Sequence, residues 1–291
     1  MNFDYSKYDL TQEIVRKHLG RIAFRRKAQL EQRGNFDEKF PEDAITAFLV
    51  LGNRYFDSNI LIARKRELIG FKPFQDLQQR ALIFHQRTPG RRYIIGADCA
   101  TGRTVNNEDT DYCAAVCLDL ETGEEMGALH ARVTPEDFAL DLADFGRYFN
   151  NALIAVERTG DGGTCILTLK GECQYGAIYC HKEWWKRQRT IVEIEGFPTT
   201  TKTRPVALNK LNTFILEHPE LIWDEKFIDE ALVFVRNEKG KPEATAGAHD
   251  DRVSARWVAH YCRLVVMGYY NPIGSAHEGY VTADRLTDAA A

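Results

Sequence analysis

Three acidic positions, each in a different setting, are where this sequence could do chemistry. Asp98 stands in RRYIIGADCATGR, Glu157 in ALIAVERTGDGG, and the pair Asp250-Asp251 in AGAHDDRVSARWVAHYC. Asp98 and Glu157 each follow a short apolar run, Tyr93-Ile94-Ile95 and Leu153-Ile154-Ala155-Val156, of the kind that forms a buried strand. The aspartate pair opens a segment with apolar residues at Val253, Ala255, Trp257, Val258 and Tyr261, which fits an amphipathic helix. Carboxylates gathered at one sheet edge repel each other unless a cation neutralises them, and hard oxygen donors select Mg²⁺ or Mn²⁺. The chemistry suggested is metal-dependent phosphodiester hydrolysis.

Each acid also has a duller explanation. Asp98 could cap a turn, and Asp250-Asp251 could cap a helix and complement its dipole. Glu157 is harder to dismiss, because an acid that directly continues a buried strand is costly without a partner.

The elements that must position these acids change character along the chain. Residues 1–90 read as a mostly helical extension: 9–33 as one helix or two broken near Gly20, and 40–57 as a helix opened by Pro41 and ended by Gly52. A further stretch, 58–90, reads as mixed helical or irregular and closes at Pro89-Gly90. From 91 to 266 an α/β domain is expected. Strands are expected at 92–97, 112–119 and 126–133, the last two joined by a hairpin turn at Leu120–Glu125. Thr134-Pro135-Glu136-Asp137 starts a helix that runs to about Asn150. A strand at 152–157, a helix from Gly162-Gly163 to about Lys170 and a short strand at 176–180 follow. Three antiparallel strands and then helix, strand, helix, strand make a mixed α/β sheet rather than a doubly wound parallel one. Residues 182–210, with seven Lys/Arg against three Asp/Glu, read as an extended basic loop leading into a helix at 205–217. Residues 224–235 read as helical or mixed, 237–243 as a hairpin-like turn, 249–266 as the final helix, and 267–291 as a flexible tail.

Composition excludes several classes. The 291 residues are 44% hydrophobic and 27% charged, ordinary for a soluble globular protein. No apolar run nears the roughly 20 residues needed to cross a bilayer, and the first residues lack a signal-peptide core, so no membrane association is expected. Seven scattered cysteines form no Cys-x-x-Cys pair, which argues against a disulfide framework or a zinc ribbon. The net charge of −4 is uneven: residues 1–92 carry 18 Lys/Arg against 11 Asp/Glu, and the rest carry 20 against 31. An acidic domain with local basic patches suits a metal nuclease, since bound cations offset part of the acid.

The segments GADCATG followed by Asp111-Tyr112, IAVERTGDGG, GFPTTTKTRP and GAHDDRVSARWVAH together resemble, in order and spacing, the C-terminal nuclease domain of the large terminase subunit of tailed bacteriophages. FPEDAITAFLVLGNRYFD resembles the segment joining motor and nuclease in that family, so the resemblance covers about residues 30–265. It implies a ribonuclease H-like fold and a divalent-metal-dependent endodeoxyribonuclease that cuts concatemeric double-stranded DNA with little sequence specificity. It implies two ions, Mg²⁺ or Mn²⁺, with Asp98 bridging both, Glu157 on one, and Asp250 or Asp251 on the other. Asp251 is favoured because it recurs with Ala255 and Val258 on one helical face; adjacent helical positions point about 100° apart. Asp111 is an auxiliary candidate ligand. Lys202, Arg204 and Lys210 of the basic stretch are candidate DNA contacts, which would position the backbone without reading sequence. The implied partners are a terminase ATPase domain or chain, the small terminase subunit and the portal protein, in the cytoplasm of a bacterial host. The family's motor needs a phosphate-binding loop, and no G-x-x-x-x-G-K-[ST] occurs in this sequence. The chain is therefore expected to be the nuclease half, as an excised domain or a split-gene product. The competing expectations are another ribonuclease H-like nuclease, such as a Holliday-junction resolvase, and an inactive prophage-remnant docking module.

Overall fold

The computed structural model describes residues 54–76, 80–101, 112–185, 187–237, 239–245 and 247–273. The centre of the fold is a meander of three antiparallel strands: β3 (Tyr93–Asp98), β4 (Cys113–Asp119) and β5 (Glu125–Ala131). The β4–β5 turn is built by Asp119. Its Oδ1 accepts hydrogen bonds from the amides of Glu121 at 3.0 Å and Thr122 at 2.9 Å, and Gly123 takes a φ of 81° there. Helix α2 (Pro135–Tyr148) follows, with Thr134 as N-cap accepting from the Asp137 amide and acids in the first turn. Asn150 and Asn151, both at positive φ, turn the chain back; asparagine tolerates that region better than most residues. The chain then enters β6 (Leu153–Val156), which lies parallel to β3, so the sheet is mixed as expected.

Among the described residues, helix α1 (Ser58–Glu67) and two short strands, β1 (Phe74–Asp76) and β2 (Ala81–Ile83), precede the meander, and the sheet order is β1-β2-β5-β4-β3-β6. Beyond β6, Ile178 bridges in parallel to Ile154 and Phe197 to Glu157, which extends that edge. An antiparallel three-stranded meander, with a helix leading to a parallel strand beside the first, thus makes a mixed sheet flanked by helices. One sheet face packs on α2 and α3 (Gly162–Gly171), where Phe138, Leu142, Phe145 and Phe149 meet Cys165, Ile166 and Leu169 in one apolar core. The other face carries the last helix, α6 (Asp251–Val266), with α4 (Thr203–Glu217) packed behind it.

Two expectations need correction, and a third, the helical or mixed reading of 224–235 with a turn at 237–243, is borne out. Residues 74–76 and 81–83 are strands, not helix or irregular chain: the two pair with each other, and Ala81 and Ile83 pair with β5 and are buried. Strands of three residues are too short for alternation to reveal them. Residues 182–210 are not one extended loop. β7 (Cys180–Trp185) and β8 (Thr190–Glu195) form an antiparallel hairpin before α4 starts at Thr203, and their lysines and glutamates hid the strand alternation. Residues 224–235 divide into α5 (Glu225–Leu232) and β9 (Phe234–Arg236), and β9 pairs with β10 (Pro242–Ala244) across the expected turn. Expectations for residues 1–53, Asp111 and the tail beyond 273 lie outside the described residues. Among those described, no helix is long and apolar enough to cross a membrane.

Candidate metal centre

Strand alternation decides which way the first two acids face. Tyr93, Ile95 and Ala97 of β3, and Ile154 and Val156 of β6, belong to the core under α2 and α3. Side chains alternate along a strand, so Gly96, Asp98, Ala155 and Glu157 face α6 instead. The two strands are in register at Ala97 and Val156, and the Glu157 amide donates to the Ala97 carbonyl at 2.7 Å. Asp98 and Glu157 therefore end neighbouring parallel strands side by side, each partly buried. Behind Glu157 the chain turns tightly into α3. A Cβ on Gly162 would lie 1.7 Å from the Glu157 carbonyl oxygen, so only glycine permits that approach.

The third element arrives because β3 has no side chain at position 96. A Cβ there would lie 2.3 Å from the Ala255 carbonyl oxygen and 2.4 Å from the Ala259 amide, so the α6 backbone rests directly on the strand. One turn upstream of Ala255 is Asp251, the first residue of the helix. Asp251 is buried; its Oδ2 accepts from the Tyr112 amide at 3.2 Å and lies 3.9 Å from His249 Nδ1. Asp250 holds the N-cap position without using its carboxylate to cap, so capping does not explain it.

On its far side α6 is tied down by buried charge. Arg256 pairs with Glu125 of β5, which also accepts from the amides of Trp223 at 2.6 Å and Asp224 at 2.9 Å. Arg252 reaches Asp224 at 2.7 Å and Glu230 at 3.3 Å. Removing one member of such a pair typically costs about 3–5 kcal/mol, because the other is left charged and buried. The arginines thus fix where the helix begins, and with it the acids at its start.

The electrostatics are those of crowded carboxylates. The Asp98 carboxyl is pushed well above its ordinary range by burial and then by Glu157, Asp251 and Asp250; the Ser254 hydroxyl, which hydrogen-bonds it, pulls the other way. Burial also raises Glu157, with Asp250 adding to the rise and the Thr199 hydroxyl and Arg204 opposing it. The donors are hard oxygens from two strand ends and one helix start, a donor type that suits hard divalent cations. Beneath them Cys99 and Cys113 are free and buried, and their thiols are raised, so soft thiolate ligation is disfavoured. Among the described residues, no three His, Cys, Asp or Glu side chains close into a ready-made ligand group.

Of the sequence-named acids, Glu157, Asp250 and Asp251 all lie near enough to Asp98 to act on its carboxyl. Of the candidate DNA contacts, Arg204 lies near Glu157 and stacks over the Trp257 ring at 5.0 Å. Lys202 is exposed at the start of α4, while Lys210 points elsewhere, over the Tyr270 ring at 5.3 Å. Sequence reasoning missed Ser254, Thr199, Tyr112 and the Arg252–Arg256 pair. Ser254 is one turn after Asp250, and the two arginines are one turn apart on an otherwise apolar helix; that spacing was the available signal.

No protein-family model matches the chain, and no curated protein matches it in sequence. Among solved structures, the chain is similar to the large terminase nuclease of thermophilic phage G20c: 19% identity, TM-score 0.49, covering 72% of this chain and 98% of that one. The same nuclease with bound magnesium matches at 18% identity with a TM-score of 0.49. The large terminase nuclease domain of Thermus phage P74-26 matches at 18% identity with a TM-score of 0.44, covering 68% of this chain and 93% of that one.

Proposed function

We propose that this chain is a divalent-metal-dependent DNA endonuclease of a phage packaging terminase, hydrolysing double-stranded DNA with little sequence specificity. One observation carries the chemistry: Asp98, Glu157, Asp250 and Asp251 arrive from two strand ends and a helix start, close enough that each of the other three raises Asp98. The terminase assignment rests on the four sequence segments that surround these acids. Asp98, Glu157 and the Asp250/Asp251 pair would hold two Mg²⁺ or Mn²⁺ ions, which supply the Lewis acidity that activates water and offsets charge building on the phosphate. Ser254 orients the Asp98 carboxylate, Tyr112 fixes Asp251, and Arg204 brings positive charge beside Glu157 to draw the phosphate in. The partners on this reading are a terminase ATPase, the small subunit and the portal, in the host cytoplasm.

The test is plasmid nicking in Mn²⁺ with Asp98→Asn and Glu157→Gln. Both should fall to background while the fold is retained. Unchanged nicking in either would remove the catalytic assignment, and a strong preference for four-way junctions over linear duplex would reassign the enzyme to the resolvases.

A further inference from the structure

Beside the carboxylates lies a cleft of about 890 Å³ between the loop leading into α4 and the β9–β10 hairpin. Four cations line it: Arg204 at the start of α4, Arg236 at the end of β9, and Lys239 and Lys241 together in the hairpin turn. Among the described residues lining it, none is acidic. The Arg236 guanidinium carbon lies over the Tyr55 ring, 4.6 Å from its centroid, and that of Arg204 over the Trp257 ring at 5.0 Å. Such ring contacts hold a guanidinium in place, and a guanidinium's forked N–H donors match phosphate oxygens. Lys241 pairs with Glu243 at 3.1 Å on the exposed hairpin, a contact worth little against a phosphate. The cleft is continuous with the acidic site, because Thr199 and Arg204 line it and both act on the Glu157 carboxylate.

We propose that this cleft seats the phosphodiester backbone of the nucleic-acid strand adjoining the scissile phosphate, with Arg236, Lys239 and Lys241 as its phosphate contacts. The inference rests on the nuclease reading for the identity of the strand. It moves the contact surface from the basic stretch at 182–210 to a hairpin that the sequence showed only as a turn. The contacts are to charge and not to base edges, so binding should be insensitive to sequence and steep in salt.

The experiment measures binding of a short fluorescent duplex to the full chain carrying Asp98→Asn, so that cleavage does not interfere. Between about 50 and about 200 mM KCl, the slope of log K against log salt should flatten by roughly 2 to 3 in Arg236→Ala/Lys239→Ala/Lys241→Ala, since each duplex phosphate contact contributes about 0.9. The charge-keeping Arg236→Lys/Lys239→Arg/Lys241→Arg should retain the slope. Removing three exposed cations elsewhere, Arg66→Ala/Lys72→Ala/Lys226→Ala, should leave it unchanged. An unchanged slope in the cleft variant, or equal flattening in the control, overturns the proposal. Cleavage by the native chain is scored separately. Duplex held in the cleft by a chain that never cleaves would sink the nuclease reading and leave the cleft standing; cleavage with an unchanged slope would do the reverse.

Discussion

Asp98 carries two opposing demands, and its titration exposes them. Its carboxyl is raised in the folded chain by burial and by Glu157, Asp251 and Asp250, so the folded state holds a proton that the unfolded chain releases near pH 4. The stability this contributes is fully present below the unfolded pKa and is lost as pH rises through the folded one. The metal-free chain should therefore melt at progressively lower temperature than Asp98→Asn as pH increases from 4 towards 8. Mn²⁺ should reverse the order: a ligand at about 100 times its Kd adds about 2.7 kcal/mol to the native protein, and Asp98→Asn should lose that gain. Differential scanning fluorimetry across pH, with and without Mn²⁺, reads both effects. A melting difference independent of pH would mean that Asp98 is not crowded by like charge. At this scale the acids themselves were legible, because an acid ending an apolar run is rare enough to notice. Ser254, Thr199 and Tyr112 were not, since a hydroxyl or an amide declares its partner only in three dimensions.

The decisive element is α6, and the contact that seats it is a missing side chain. Gly96 lets the backbone around Ala255 and Ala259 lie against β3, and Arg252 and Arg256 hold the opposite face. Gly96→Ala should push the helix outwards. Overpacking of this kind costs about 1–3 kcal/mol, and the helix start carries Asp250 and Asp251 away from Asp98. Nicking and the Mn²⁺-induced rise in melting temperature should both be lost while the chain stays folded at assay temperature. Gly171→Ala is the matched control, since nothing lies within 4 Å of a Cβ there, and it should leave both intact. A Gly96→Ala protein with native metal response would show that helix placement does not depend on this contact. The helix was legible from its periodicity, and its apolar face from Val253, Trp257 and Tyr261. The β7–β8 hairpin was not, because it is half exposed and its charged residues read as loop.

At the scale of the whole molecule, the compact unit that holds the sheet starts at Arg54. The change of character at residue 91 marks the start of the strongest strand, yet β1 and β2 upstream close the far edge of the sheet, with Ala81 and Ile83 buried. Phe56 and Leu61 are likewise buried in the unit that begins at Arg54, and the Tyr55 amide donates to the Phe234 carbonyl at 3.0 Å. A chain beginning at residue 54 should melt cooperatively. One beginning at residue 91 should melt markedly lower or not at all, because the apolar side chains it strands, Met126 and Leu129 on β5 among them, would face water at about 25 cal/mol per Å². Equal melting temperatures for the two fragments would place the boundary where the sequence suggested it.

By itself the sequence determined the acids, the strands and helix that carry them, and the mixed order of the sheet, because hydrophobic periodicity and turn chemistry are local properties of the chain. Only the tertiary structure decided that Asp98, Glu157, Asp250 and Asp251 face the same side, that α6 rests on Gly96, and that a hairpin beyond residue 233 brings cations beside the site. Those outcomes depend on which face each strand buries and on contacts between residues more than a hundred positions apart, and no local pattern encodes them.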